Sequence, residues 1–258
     1  MTVESPRAIR VIGPGRAGGS LGDALSLAGW NVQEPIRRGD DVSRAAFGVD
    51  LVIIATPDAA IAEVASQIEP VPTTVVAHMA GSLGLEVLGD HPRRAAIHPL
   101  VALPDRETGS LRLRSDAWFA VAADGSEALG LVDELVAALG GRSFVVADDR
   151  RAEYHAAAVI ASNHLVALLG QVERVASSAG IPFDAFLELA RSTIENVARL
   201  GPTKALTGPA ARGDWATIER HRAALPDDEL EAYDALLRAA RRLVDGAERG
   251  NDVLPDND

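Results

Sequence analysis

The chain contains no cysteine, which excludes disulfides, thiolate catalysis and cysteine-based zinc sites. It also lacks an uninterrupted run of the about 18 apolar residues that a membrane-spanning helix requires. The opening stretch MTVESPRAIRVIG lacks the long apolar segment of a secretory signal. A cytoplasmic protein that does not engage membranes is therefore expected. Positive charge is in short supply: Lys and Arg total 25 against 37 Asp and Glu, a net charge of -12. Such a surface repels phosphate backbones and argues against a nucleic-acid partner, while leaving room for a local basic pocket. The six histidines show no H-x-x-x-H or other compact ligand spacing, so no metal site is expected. There is no internal repeat.

Apolar residues make up 47% of the 258 positions. That is enough for a substantial core and, by size, for two domains. Residues 8–12 (AIRVI) read as a buried strand, followed at once by a glycine-rich turn and then by helical apolar spacing over 20–28. Residues 30–36 are a weaker strand, because Pro35 suits only an end or an edge. The run 50–55 (DLVIIA) has the pattern of a strand buried on both faces, and Asp58 is placed to cap a helix over 59–68. Further strands are expected at 74–78, 95–98, 118–122 and 143–147, with a helix over 126–139. This alternation predicts an α/β fold with a mostly parallel, Rossmann-type sheet over residues 1–148. After Asp148-Asp149-Arg150-Arg151 only helical patterns follow, at 152–179, 183–200, 215–224 and 229–248. Residues 149–250 are expected to form an all-α domain and 251–258 a polar, disordered tail.

The turn is Gly13-Pro14-Gly15-Arg16-Ala17-Gly18. Glycines there permit a tight bend and close approach of backbone to a pyrophosphate, and the following helix offers unsatisfied N–H groups to the anion. All six residues are cofactor-binding candidates. NAD-binding domains place an acid at the end of the second strand, and here Arg37 and Arg38 occupy that region. Two guanidiniums suit a 2′-phosphate, so NADP is favoured over NAD, with Glu34 as ribose acid the alternative if the strand ends earlier.

Ligands of open α/β sheets bind beyond the carboxyl ends of the strands. Thr56, Pro57 and Asp58 lie at one such end and are assigned to the cofactor. His78 ends another strand and is followed by Ser82; His98 ends a third. His78 and Ser82 are candidates for substrate contact, and His98 for proton transfer. Each histidine also has a bland reading, as a cap on a buried carbonyl. In the first long helix pattern, 3.6 residues per turn puts Ser162 within about 20° of His155 and Asn163 about 80° away, so these three could line one cleft or make helix–helix contacts. In the segment ALTGPAARGD (205–214), Arg212 is a carboxylate-binding candidate and Asp214 a helix cap.

Together GPGRAG (13–18), VIIATPD (52–58), VAHMAGSLG (76–84), IHPL (97–100), YHAAAVIASNHLVALL (154–169) and ALTGPAARGD (205–214) resemble a family. It is the family of Rossmann-like proteins with an appended helical domain of unknown function, within the 6-phosphogluconate dehydrogenase superfamily. Ketopantoate reductase, pyrroline-5-carboxylate reductase and hydroxyisobutyrate dehydrogenase are relatives. The resemblance implies an NADP-binding N-domain, a helical C-domain that dimerises, and an active site between them. Asn163 matches an asparagine of several dehydrogenase relatives, but the proton-donating lysine four residues earlier is Val159 here. His155 or His98 would then supply the proton, with Ser162 and Asn163 orienting the reacting group and Arg212 holding a carboxylate. The function expected is an NADP-dependent oxidoreductase moving a hydride between the nicotinamide and a small carboxylate-bearing keto or imino substrate, ketopantoate-like by analogy. The missing lysine motivates an alternative, a non-catalytic NADP-binding sensor or partner subunit.

Overall fold

The computed structural model describes residues 6–251. Of the expected tail, 252–258 lies outside them, while Asn251 closes the last helix. The chain forms two compact units divided after Ser162. The change of composition at 148–151 marks the end of the sheet. The division falls later because the helix that follows packs its Arg151, Tyr154 and His155 against sheet and loops.

In the first unit the elements run β1 (Ala8–Ile12), α1 (Arg16–Leu27), β2 (Asn31–Val32), β3 (Leu51–Ile54), α2 (Ile61–Gln67), β4 (Val75–His78), β5 (Arg94–Pro99), α3 (Arg106–Leu113), β6 (Trp118–Ala123), α4 (Gly125–Ala138), β7 (Arg142–Val145) and α5 (Arg151–Val159). They build one seven-stranded sheet in the order β2-β1-β3-β4-β5-β6-β7. Neighbours from β2 to β5 are parallel, β6 is antiparallel to β5, and β7 is parallel to β6. Apolar side chains alternate between two cores. Ile9, Leu51, Ile53 and Val75 join one face, and Ile12, Val52, Ile54 and Val76 the other. This is why β3 reads as an unbroken apolar run.

The second strand is shorter than expected. Asn31 and Gln33 donate to Arg7 and Ile9 carbonyls, and pairing resumes only at Ile36, which donates to Val11. Pro35 has no N–H to give in between. Asp58 is not a helix cap: it begins a single 3₁₀ turn, Asp58–Ala60, and its carboxylate accepts no capping bond. The helix α3 is absent from the sequence reading. Asp105 caps it by accepting from Thr108 N at 2.8 Å, and Gly109 sits so close to α1 that a Cβ would stand 2.1 Å from Ser20 Oγ.

The second unit is all helical: α6 (Leu165–Ser178), α7 (Phe183–Leu200), the short α8 (Pro202–Ala205) and α9 (Pro209–Arg212), α10 (Trp215–Ala224) and α11 (Asp227–Asn251). Asp214 caps α10 through Thr217 N at 3.1 Å, as expected. Arg174 of α6 forks onto both oxygens of the buried Glu229 of α11. The helix expected over 152–179 is interrupted by a π-turn, Ile160–His164, between α5 and α6. The helical stretch Asp148–Ser178 is long and apolar enough, by length and composition, to cross a membrane, with mean hydropathy 1.3. None of the most apolar window of that stretch is buried within the described residues.

Candidate functional site

Each glycine of the loop has a distinct reason to be glycine. Gly13 has φ +88°, and a Cβ there would come 2.9 Å from Ala55 O. At Gly18 a Cβ would stand 2.4 Å from Gly13 O and 2.7 Å from Ala55 Cβ, so α1 could not pack on β1 and β3. Gly15 is the opposite case: nothing lies within 4 Å of where its Cβ would be. It is the N-cap of α1 and offers no side-chain cap bond, which leaves the first N–H groups of the helix without a side-chain partner. The loop is thus tight at both ends and open in the middle. Beside it lies a cavity of about 200 Å³ whose lining includes Pro14, Gly18, Gly22, Val32 and Glu34.

Gly13 N donates to Ile36 O at 2.9 Å, and Ile36 bridges Ile12 in parallel register. Arg37 and Arg38 therefore follow directly from the residue bonded to the loop. Both are exposed, on a turn closed by Arg37 N donating to Asp40 Oδ2 at 2.8 Å. Glu34 precedes the bridge and is set back from it. Past the end of β3, Thr56 Oγ1 is buried without a hydrogen-bond partner, and Asp58 is exposed and accepts from Ser82 Oγ at 3.4 Å.

Beyond β4 and β5 a second group assembles. His78 is fully buried. Its Nδ1 accepts from Ala80 N at 3.2 Å and its Nε2 lies 3.1 Å from Gly84 O, which fixes the tautomer as Nε2–H. Both nitrogens hold the loop 79–84, in place of the substrate contact expected. Burial, the largest effect, pushes its pKa down. His98 is only partly buried, with Nδ1 2.6 Å from the Tyr154 hydroxyl. The ring of His155 stands edge-on to it at 5.8 Å. Gly81 lies against both: a Cβ there would be 2.5 Å from His155 Nδ1 and 3.0 Å from His98 Nε2. His155 Nδ1 is buried without a hydrogen-bond partner.

Arg151, the first residue of α5, is the largest fully buried side chain described. Its Nε donates to Asp148 Oδ1 at 3.1 Å, while Nη1 and Nη2 are buried without partners. Asp148 in turn accepts from Leu85 N at 3.0 Å. Desolvation first, then electrostatic interaction with His155 and with Arg151, push the His98 pKa down to about 4. Desolvation pushes Tyr154 up to about 12, with Arg151 pulling the other way. At neutral pH both groups are therefore uncharged.

Of the expected residues, His98 and His155 come together, with Ser82 and Asp58 on the adjoining loops. Ser162 is a different matter. Its hydroxyl donates from the π-turn back to Ala158 O of α5 at 2.7 Å, and the angular arithmetic that aligned it with His155 fails across an i→i+5 turn. Asn163, in the π-turn, and Arg212, the exposed end of α9, belong to the second unit. The sequence reading missed Arg151, Asp148 and Gly81 as site residues and quoted Tyr154 without a role. The signal present was Asp148-x-x-Arg151, a spacing that pairs opposite charges on one turn. The chain's only lysine is Lys204, in α8, so no lysine of the first unit takes the place of the one that Val159 lacks.

The fold is a Rossmann-type α/β unit followed by a helical C-terminal region. Residues 117–240 match the family described as "Domain of unknown function (DUF2520)". Among solved structures, the chain resembles a Bacteroides fragilis protein provisionally described as an NADP oxidoreductase (22% identity, TM-score 0.78, covering 92% of this chain and 98% of that one). It also resembles a reductive aminase from Aspergillus terreus in complex with NADPH and ethyl-5-oxohexanoate (14% identity, TM-score 0.71, 92% and 94% covered). A third likeness is to a pyrroline carboxylate reductase from Plasmodium falciparum with NADP bound (12% identity, TM-score 0.62, 92% and 98% covered). No curated protein matches it.

Proposed function

We propose that this chain is an NADP-dependent oxidoreductase acting on a small keto or imino compound that carries a carboxylate. The observation that carries the reading is the loop itself, tight at Gly13 and Gly18, open at Gly15, and hydrogen-bonded directly to the residue preceding Arg37 and Arg38. The residues present fit the cofactor. Gly15 and the uncapped start of α1 would hold the pyrophosphate, Arg37 and Arg38 the 2′-phosphate, and the orphaned Thr56 Oγ1 is a polar atom in want of a partner. The bound nicotinamide supplies the hydride, and the protein supplies position, charge and a proton.

Proton delivery falls to His98 and His155, whose nitrogens Nε2 and Nδ1 converge beside Gly81. Ser82 lies on the same loop and is a substrate contact. Of the neighbours named above, one is a complex with a keto ester and another is named as a reductase of pyrroline carboxylate. Both compound types therefore belong in the substrate search beside ketopantoate-like 2-keto acids, and Arg212 is the proposed carboxylate anchor. The same reading has two copies paired through the helical unit. The test is oxidation of NADPH, followed by loss of its absorbance, across a panel of 2-keto acids, keto esters and cyclic imines. Turnover of a member of the panel supports the enzyme. Tight NADPH binding with no turnover anywhere favours a non-catalytic NADP-binding protein, the reading that the absent lysine supports.

A further inference from the structure

The proton donor of this site lies one step behind the histidine. We propose that Tyr154, His98 and Arg151 form a neutral proton relay, in which Tyr154 O–H donates to His98 Nδ1, His98 presents Nε2–H to the reacting atom beside Gly81, and Arg151 stabilises the charge left on Tyr154. The inference rests on the oxidoreductase reading for its chemistry but not for its hydrogen bonds.

Three observations carry it. The Tyr154 oxygen is 2.6 Å from His98 Nδ1. A phenolic O–H is more acidic than a neutral imidazole N–H, and imidazole nitrogen is the better acceptor, so the hydroxyl donates. That places the ring hydrogen on Nε2, which lies against Gly81, as does the unpartnered His155 Nδ1. Finally, Arg151 is a fully buried cation with one carboxylate partner and two free Nη groups, three residues before Tyr154 on α5. Its charge favours an anionic Tyr154 and disfavours a cationic His98. A partly buried imidazole that resists protonation is scarcely present as imidazolium at neutral pH. It is well suited to pass a proton by exchanging tautomers.

The step balances. When the substrate carbon has gained its hydride, the oxygen or nitrogen needs one proton. The Nε2–H bond breaks as the new O–H or N–H forms. Nδ1 takes the Tyr154 proton, and a tyrosinate remains beside Arg151. After product leaves, that proton returns from Nδ1 to Tyr154, and Nε2 is reprotonated from water. One solvent proton is consumed per turnover. Tyr154 and Arg151 are positioning residues, and His98 is the catalytic one.

The full chain labelled with ¹⁵N-histidine tests the hydrogen bonds without cofactor or substrate. Two-bond ¹H–¹⁵N spectra at pH 7 are expected to show His98 protonated on Nε2 only. In Tyr154→Phe the tautomers mix, while the melting temperature is unchanged and NADPH affinity stays within twofold. His98 protonated on Nδ1, or cationic at pH 7, overturns the relay. With whichever panel compound the wild type reduces, Tyr154→Phe is expected to lower kcat about 100-fold with KM within twofold. Its residual activity should rise towards acid pH as His98 becomes imidazolium, against the charges of Arg151, His155 and His78 and with that of Asp58. A Tyr154→Phe enzyme at the wild-type rate overturns the relay and leaves His155 as donor. A wild type that binds NADPH but reduces nothing overturns the oxidoreductase reading instead, whatever the tautomer.

Discussion

Glycine does three separate jobs within residues 13–18, and alanine substitutions separate them. Gly18→Ala forces a Cβ into Gly13 O and Ala55. It is expected to cost about 1–3 kcal/mol of stability, the range for overpacking, seen as a lower midpoint in chemical denaturation. Gly15→Ala meets nothing within 4 Å, so its midpoint should match wild type while NADPH binds about tenfold more weakly. Equal effects of the two on stability would remove the distinction. His98 gives a pH signature at the same scale. Its folded pKa of about 4 lies below the ordinary 6.5, so between these values the unfolded chain binds more protons. Stability then falls as pH drops from 6.5 to 4, by on the order of 3 kcal/mol for this one group. His98→Asn should flatten that part of the stability curve. The tight turn at 13–18 and the placing of His98 at a strand end were legible in the sequence because turn chemistry and strand ends are local signals, whereas His155 was singled out by helix spacing alone. Arg151 was not, since nothing in a run of four charged residues says that one of them is wholly buried.

Among the elements, α3 and the π-turn carry the main departures from the expected pattern. Gly109 in the middle of α3 looks like a chain breaker, yet it lets α3 lie against α1 at Ser20. The readable signal was Asp105-x-x-Thr108, a cap at the right spacing. Hydrogen bonds from Thr108 hold the Asp105 carboxylate below its usual pKa. Its contribution is therefore present above the unfolded pKa and is lost as pH falls through the lower folded one. Asp105→Ala should reduce hydrogen-exchange protection across residues 106–113 at pH 7, with the difference from wild type vanishing in acid. Unchanged protection at pH 7 would count against the cap. The π-turn at 160–164 left no trace, because insertion of an i→i+5 turn is decided by packing and not by composition. It is the reason why Ser162 was placed by arithmetic on a face that the helix does not preserve.

For the molecule as a whole, strand and helix alternation was enough to give a mostly parallel sheet followed by helices, whereas strand order and the reversal of β6 depend on long-range pairing. The second unit leaves apolar side chains uncovered. No residue of α7 is buried, and Leu189, Ile194 and Leu200 are 60%, 55% and 42% exposed. On a helix of 3.6 residues per turn they fall within about 140° of one another. Pairing of two copies is expected, and light scattering should give a dimer for the wild type and a monomer for Leu189→Glu/Ile194→Glu; a monomeric wild type would contradict it. Everything proposed for the reaction depends on the cofactor, and its choice rests on two arginines beside a glycine loop. Equilibrium titration of the full chain with NADPH and with NADH, wild type against Arg37→Ala/Arg38→Ala, tests this most directly. NADPH should bind the wild type at least tenfold more tightly than NADH, and the double substitution should abolish that preference with little change for NADH. If NADPH affinity is unchanged by the substitutions, the two guanidiniums do not hold a 2′-phosphate and the assignment to NADP fails.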